Sequence, residues 1–444
     1  MTAASPTLAS RLLRGVTRWI VGKYYRQIKV TGGERIPQQG AVLLCGNHPN
    51  SLLDPVVIGI ASRRPVRFMA KAPLFKTPVL GRLMYALGMI PAFRGQDDAR
   101  QVRRNVESLD QGAKVLATGA AMGIFPEGKS HDAMQLEMVR SGAGRMAVGA
   151  LQGGAGEVTI VPIGLVYERK EQFRSAVWVD VGEPIATAQF FGTRELGDRK
   201  ALRELTEELG ARLKRVVVHL DDPLFEDRVH DLEMLFGSGH GIEALQLRKR
   251  IADGINRYSA SEPDEAAQLS ERIGAHRRKL QQAGLPLDAE VLGRSPALAC
   301  LALVMKALGL GVLFPIAVAA TVFHLVPFAV TRLLARLATP PGRTAVSFYR
   351  LLIGLPVYLI WYLAAVAFAL WQAAPWSWIV PGVVALAPAG VMALSYWPAA
   401  PAAVRGIFRQ LSMAVRPTSL RPLRDEHAAL RSALIEIGGK YATD

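Results

Sequence analysis

Ala41-Val42-Leu43-Leu44-Cys45-Gly46-Asn47-His48-Pro49-Asn50-Ser51-Leu52-Leu53-Asp54 is the stretch whose reading decides the fold. Its first five residues are an uninterrupted apolar run with the length and composition of a buried strand. The polar turn that follows carries Asn, His and Asp. Open α/β sheets bind ligands just beyond the carboxyl ends of their strands, so this turn is a candidate site. A histidine with a carboxylate six positions later can draw a proton from a hydroxyl. The imidazole accepts it, and the carboxylate fixes the tautomer and stabilises the imidazolium. Alone the spacing is a weak signal, because a histidine also caps or satisfies turns.

Outward from this stretch, residues 26–185 repeat one pattern. Apolar runs at 41–45, 66–70, 122–126, 158–163 and 176–181 are strand candidates, each bounded by Gly, Pro or a charge. Helical spacings lie between them: Val102, Val106, Leu109 and Leu116, then Ser141 to Leu151. A further helix with Leu202, Leu205, Leu209 and Leu213 on one face closes this part. Alternating strands and helices predict an α/β domain over 27–222, with a mixed, largely parallel sheet flanked by helices.

Residues 223–294 are charged and read as an accessory helical segment, broken at Gly237-Ser238-Gly239 and near Pro263. A hydrophobic membrane region follows at 295–400. From Leu351 to Pro401 there is no charged side chain. Segments 351–372 and 378–397 each have the ~20 residues that a hydrocarbon core requires. A five-residue turn joins them and tryptophans sit near their ends, which predicts a transmembrane hairpin. Arginine-rich flanks place both outer ends on the cytoplasmic side. The earlier run 307–330 is long enough to span but contains Pro315 and Pro327, so a re-entrant element is also open. The basic cytoplasmic tail, 401–444, holds an amphipathic helix at about 422–437, stopped by Gly438-Gly439.

The chain is 444 residues long, half apolar, with a formal charge of +16. No zinc spacing, basic heptad region or aromatic–basic RNA signature accompanies that charge, so nucleic acid is not the expected partner. Anionic lipid headgroups beside hydrophobic segments fit it better. Residues 1–26 contain a basic amphipathic helix, with Leu8, Leu12, Leu13, Val16, Trp19 and Ile20 on one arc. Arg11, Arg14 and Arg18 lie opposite, the pattern of a membrane-surface helix with its arginines at the phosphates. Two cysteines, Cys45 and Cys300, sit in apolar runs and form neither a disulfide framework nor a metal site.

Four short blocks gather the chemistry: Asn47-His48 with Asp54; Gly88-Met89-Ile90-Pro91-Ala92-Phe93-Arg94-Gly95; Ile124-Phe125-Pro126-Glu127-Gly128-Lys129-Ser130-His131; and Val161-Pro162-Ile163-Gly164. They present a guanidinium, a carboxylate and an ammonium at strand ends. Arg94 offers a forked donor to phosphate oxygens and Lys129 a point charge, while Glu127 accepts from a hydroxyl. In order and spacing the blocks resemble those of the glycerolipid acyltransferases, the glycerol-3-phosphate and lysophosphatidate acyltransferases. The resemblance covers roughly residues 26–220 and extends to Ala70-Lys71 and Val181-Gly182-Glu183-Pro184-Ile185.

The resemblance implies that His48 is the general base and Asp54 its orienting partner. It implies that Arg94 and Glu127 bind the acceptor headgroup and that Pro162 shapes the pocket wall. Asn47, Lys71, Gly95, Gly128 and Lys129 complete the implied substrate-binding set. The activity implied is transfer of a fatty acyl chain from acyl-CoA or acyl-ACP to glycerol 3-phosphate or a lysophospholipid, in phospholipid biosynthesis. It uses no cofactor and no acyl-enzyme, and the catalytic domain lies on the cytoplasmic face of the membrane. Two departures stand out. Five residues separate His48 from Asp54 where the family usually has four, as in a branch resembling the fungal glycerol-3-phosphate acyltransferases. Lys129-Ser130-His131 replaces the usual Thr-Arg-Ser. The longer gap keeps open the alternative of a non-catalytic lipid-binding or scaffold protein that retains the fold.

Overall fold

The apolar run at 41–45 becomes a central strand with every residue buried. The computed structural model describes residues 7–78, 80–93, 99–237, 239–285, 287, 296–339, 342–415 and 417–441. Among these, β1 (Gln27–Thr31), β2 (Ala41–Gly46), β3 (Val66–Lys71), β4 (Ile90–Ala92), β5 (Ala121–Ile124), β6 (Val158–Tyr167) and β7 (Ala176–Val181) form one sheet in the order β1-β7-β6-β2-β5-β3-β4. A short β8 (Ile185–Ala186) also pairs with β6. Strands β2 to β6 run parallel to one another, so their carboxyl ends share one edge. β7 turns antiparallel on β6 and β1 runs parallel to β7. The sheet is therefore mixed and largely parallel.

Helices cover it as buried parallel strands require. They are α1 (Leu8–Tyr24), α2 (Leu53–Ser62), α3 (Leu80–Ala86), α4 (Ala99–Ala117), α5 (Gly142–Gln152), α6 (Thr187–Phe191) and α7 (Arg199–Val216). Leu116 of α4, Met146 of α5 and Leu205, Leu209 and Leu213 of α7 share one core with Leu43, Cys45, Met122 and Ile160. Each such Leu, Ile or Met stabilises the fold by about 1.5–3 kcal/mol on burial. The small residues Ala143, Ala147 and Ala150, all fully buried, let α5 press close against the sheet.

Some elements departed from expectation. β1 was not foreseen, because Gln27-Ile28-Lys29-Val30-Thr31 alternates polar and apolar on a sheet edge and forms no apolar run. α2 begins inside the stretch expected to be a polar turn. It is apolar nearly all round, so it shows no amphipathic period, and Pro55 is tolerated in its first turn. The strand expected at 122–126 ends at Ile124, which releases Phe125-Pro126-Glu127 into the loop beyond the sheet edge.

α1 is amphipathic as expected, and its basic side is the one turned to the domain. The Arg14 guanidinium donates to Val66 O at 2.8 Å and to Leu87 O, and Arg18 donates to Gly59 O at 2.7 Å. Backbone carbonyls of the domain, rather than phosphates, therefore engage these two arginines. Leu8, Leu12, Val16 and Trp19 are exposed.

Two compact units are resolved, Met1–Glu226 with Gly239–Asn256 and Asp227–Ser238 with Arg257–Asp444. The start of α9 (Ile242–Ser261) joins the first, since Ile242 and Leu245 are buried with Val166, Ala176 and Trp178. α8 (Glu226–Leu235) links the units in sequence. The second holds α10 (Pro263–Gln282), α11 (Pro296–Ala338), α12 (Val346–Trp371), α13 (Trp376–Val415) and α14 (Pro417–Tyr441).

α11, α12 and α13 each contain a stretch long and apolar enough to cross a membrane: Leu301–Ala338, Val346–Trp371 and Trp376–Phe408. α11 runs unbroken through Pro315 and Pro327, so it is a continuous helix and no re-entrant loop. α12 and α13 are joined by a tight turn in which Ala373 has φ +53°. His324 of α11 donates from Nδ1 to Ala320 O at 2.7 Å, and its Nε2 accepts from Tyr362 of α12 at 3.0 Å. Trp397 of α13 donates to Thr321 of α11 at 2.8 Å. The tail helix does not stop at Gly438-Gly439. Beyond them Lys440 and Tyr441 both bond the Glu262 carboxylate at 2.7 Å, which offsets the ~1 kcal/mol each glycine costs in a helix.

Candidate active site

The site begins where β2 leaves the sheet. The Asn47 side chain takes the place of a strand residue against β6: its Oδ1 accepts from Leu165 N at 2.7 Å and its Nδ2 donates to Leu165 O at 3.1 Å. That double bond fixes the chain one residue before His48. The turn then tightens, with Leu53 N bonded to Asn50 O and Asp54 N to Ser51 O. Ser51 adopts φ +45°, a left-handed conformation that L residues seldom take. The extra residue between His48 and Asp54 is wound into this turn. Asp54 emerges in the first turn of α2, where the helix dipole favours a carboxylate.

His48 Nδ1 and Asp54 Oδ2 are 2.8 Å apart. Asp54 is fully buried. Its Oδ2 also accepts from Asn50 N at 2.7 Å, and its Oδ1 accepts from the Tyr167 hydroxyl at 2.7 Å. Three donors converge on one carboxylate, so the hydrogen-bond pattern assigns the His48 proton to Nδ1 and leaves the Nε2 lone pair available. Tyr167 is held in turn. Burial pushes its phenol well above the ordinary value, with the Asp54 carboxylate adding to the shift, so it stays a donor. Tyr25 accepts from Asn50 Nδ2 at 2.7 Å and packs its ring 5.6 Å from that of Tyr167.

The face of the His48 ring lies on Phe125, with centroids 3.8 Å apart and planes within 6°. Phe68 stacks behind Phe125 at 5.9 Å. Room for Phe68 comes from Gly123, where a Cβ would lie 2.1 Å from the Phe68 ring. A chain of aromatic planes thus orients the imidazole from one side while Asp54 holds its edge.

Glu127 is buried two residues past Phe125. Its Oε2 accepts from His131 Nε2 at 2.5 Å and from Glu137 N at 2.9 Å, while Oε1 is buried without a hydrogen-bond partner in the described structure. The Glu127 hydrogen bond raises His131 above the ordinary imidazole range, against the opposing effect of its burial. An unsatisfied buried carboxylate oxygen is costly, and a ligand hydroxyl is the kind of donor that completes it. Gly128 turns with φ +78°, and Lys129 pairs with Glu137 at 2.8 Å on the half-exposed side of the loop.

Lys71 is the exposed last residue of β3, beside Ala92 of β4 at the same sheet edge. Pro162 is buried in β6, in register with Cys45 and so three residues before His48 along β2. Arg94 and Gly95 lie outside the described residues. Cys45 is buried and its thiol is pushed far up by burial, which leaves it unreactive; the Cys300 side chain is not among those described. The structure thus brings His48, Asp54, Asn47, Glu127, Gly128, Lys129 and Lys71 to one edge of the sheet. It adds Tyr167, Tyr25, Asn50, Phe125 and His131, whose parts no spacing had indicated. The one available hint was Tyr167 itself, at the end of the strand that carries the fourth block.

Residues 27–166 match the family model described as Acyltransferase. This part of the chain is an acyltransferase-family domain. Among curated proteins, this chain is 22% identical to glycerol-3-phosphate O-acyltransferase 1 of Saccharomyces cerevisiae, over 77% of its own length and 57% of that protein. It is 28% identical to 1-acyl-sn-glycerol-3-phosphate acyltransferase of Borreliella burgdorferi, over 30% of its own length and 50% of that protein. The chain thus spans about half the length of these two relatives. Among solved structures, PlsC, the 1-acyl-sn-glycerophosphate acyltransferase of Thermotoga maritima, aligns with 47% of this chain and 78% of its own. The identity is 20% and the TM-score 0.35.

Proposed function

We propose that this protein is a membrane-bound O-acyltransferase that moves a fatty acyl chain from a CoA or acyl-carrier-protein thioester to a hydroxyl of glycerol 3-phosphate or a lysophospholipid. The observation that carries the proposal is the 2.8 Å contact between His48 and the fully buried Asp54, set in a family-matched domain at the carboxyl edge of a parallel sheet. A carboxylate pointing away from the imidazole would have favoured a non-catalytic scaffold. This distance lies well within hydrogen-bond reach.

In the reaction, His48 Nε2 takes the acceptor's hydroxyl proton as that oxygen attacks the thioester carbonyl. A C–O bond forms, the tetrahedral intermediate collapses, and the C–S bond breaks. The imidazolium returns its proton to the departing thiolate. Asp54 stabilises the imidazolium while it exists. Glu127 Oε1 accepts from the acceptor headgroup, in glycerol 3-phosphate from the hydroxyl that is not acylated; Arg94 and Lys129 meet the phosphate, and Lys71, Asn47, Gly95, Gly128 and Pro162 shape the pocket. The acyltransferase domain, 27–222, sits in the cytoplasm, and α12 and α13 cross the bilayer as a hairpin with arginine-rich cytoplasmic flanks. α1 lies on the membrane surface through Leu8, Leu12, Val16 and Trp19.

The test is transfer of radiolabelled acyl chain by the membrane-embedded full-length protein, over a panel of acyl donors and acceptors. His48→Ala should abolish transfer while leaving membrane association intact; undiminished transfer by that variant would sink the assignment.

A further inference from the structure

Strand β6 grips the His48 turn more than once. Leu165 holds Asn47, and Tyr167 holds Asp54. Three residues further on, Lys170 Nζ donates to Pro49 O at 2.9 Å and pairs with the Asp132 carboxylate. Pro49 follows His48 directly. Asp132 follows His131, whose Nε2 bonds Glu127. One ammonium therefore lies a single residue away from the base on one side and from the Glu127–His131 pair on the other.

We propose that Lys170 is a positioning residue that sets the separation between His48 and Glu127, and so between the attacking hydroxyl and the group that anchors the rest of the acceptor. The proposal rests on the acyl-transfer reading above. An ordinary surface ion pair contributes little, because solvent screens it and two mobile side chains must be ordered. Lys170 differs in being only 12% exposed and in having a backbone carbonyl as its second acceptor. The His48 turn also has reason to need an external tie, since it contains a left-handed serine and a proline that can donate no backbone hydrogen bond. Lys129, in the acceptor loop itself, pairs with Glu137 within the same loop and so makes no such link.

The test compares two reactions of the reconstituted full-length protein. One is acyl transfer to glycerol 3-phosphate or lysophosphatidate. The other is slow acyl-thioester hydrolysis without acceptor, which needs His48 but not the spacing to Glu127. Lys170→Met should lower kcat for transfer by about 10- to 100-fold, the loss expected when a charged hydrogen bond is removed, and leave hydrolysis within about threefold. Lys170→Arg, which keeps the charge and reach, should restore most of the transfer. Asp132→Asn should lower the ratio of transfer to hydrolysis, and the double variant should lose no more than Lys170→Met alone.

Equal losses in both reactions, or additive losses in the double variant, would overturn the proposal and make Lys170 a general stabiliser. Should Lys170→Met fail to fold, the Asp132→Asn ratio decides alone: a fall supports the link and an unchanged ratio refutes it. Wild-type transfer with an undiminished Lys170→Met overturns this inference only. No transfer by the wild type overturns the acyltransferase proposal and this one together.

Discussion

Replacing Asp54 with asparagine separates the charge of the carboxylate from its geometry. Asp54 receives three donors, the His48 Nδ1 proton and the Asn50 amide on Oδ2 and the Tyr167 hydroxyl on Oδ1. The backbone N–H of Asn50 cannot reverse, and His48 shares its acceptor oxygen. The Tyr167 hydroxyl can, by rotating its hydrogen to accept. The new amide should therefore settle with its oxygen toward His48 and Asn50 and its nitrogen toward Tyr167, keeping the His48 proton on Nδ1. What is lost is the attraction between carboxylate and imidazolium. For unit charges about 4 Å apart at an effective dielectric constant of ~20 this is about 4 kcal/mol, an upper bound that corresponds to roughly a thousandfold in rate. Asp54→Asn should thus lower kcat for acyl transfer by about 10²- to 10³-fold while the thermal midpoint changes little. Asp54→Ala should behave differently, leaving the Asn50 amide and Tyr167 hydroxyl as orphans in a fully buried site, at about 1–3 kcal/mol each. It should lose both activity and several degrees of thermal stability. The assay is initial-rate acyl transfer alongside differential scanning fluorimetry in detergent. An Asp54→Asn enzyme with kcat within threefold of wild type would refute the assignment of charge stabilisation to this residue.

Three further outcomes are expected. Tyr167→Phe removes one of the three donors and should cost about 5- to 30-fold in kcat, consistent with a net 1–2 kcal/mol for one hydrogen bond to a charged group; an unchanged rate shows that Asn50 and His48 suffice to hold Asp54. Gly123→Ala forces the Phe68 ring aside and should lower stability by about 1–3 kcal/mol and disturb the plane of His48, measured by thermal unfolding and kcat together; an unaltered midpoint refutes the close approach. The third concerns pH. His131 is raised by its Glu127 hydrogen bond, so its stabilisation is full below its unfolded value near 6.5 and is lost as pH rises through the raised value. His219 is lowered by burial, and its Nδ1 accepts from Leu136 N at 2.9 Å, so its stabilisation is present above 6.5 and lost as pH falls through the lowered value. The stability gap between wild type and His131→Gln should narrow toward alkaline pH, and that for His219→Gln toward acid pH, in unfolding curves taken across about pH 5 to 9. Gaps independent of pH for both variants would refute the two assignments.

The sequence shows the central strands because Ala41–Cys45 and, Thr159 apart, Val158–Ile163 are buried and apolar. It shows the pairing of His48 with Asp54 because both lie in one short turn. Tyr167 is invisible at that level, because it reaches Asp54 across 113 residues of chain and only the register of β6 against β2 brings it there. Helix α1 teaches a different lesson. Its period was plain, but period does not say which face turns inward. Arginines whose guanidinium groups can satisfy the carbonyls at Val66, Leu87 and Gly59 turn the basic face toward the domain. The continuous α11 was obscured by two prolines, which apolar surroundings and neighbouring helices tolerate.

Ser51 bears on how such proteins are found. Asp54 is held by helix α2, by the Tyr167 hydroxyl and by two donors of the turn itself, whereas His48 is held by the Asn47 clasp, the aromatic stack and Asp54. The residues between them join two anchored ends, and left-handed Ser51 follows the Asn50 amide that turns back onto Asp54. A pattern search that insists on a fixed count from histidine to aspartate tests the length of the string rather than the position of its pegs.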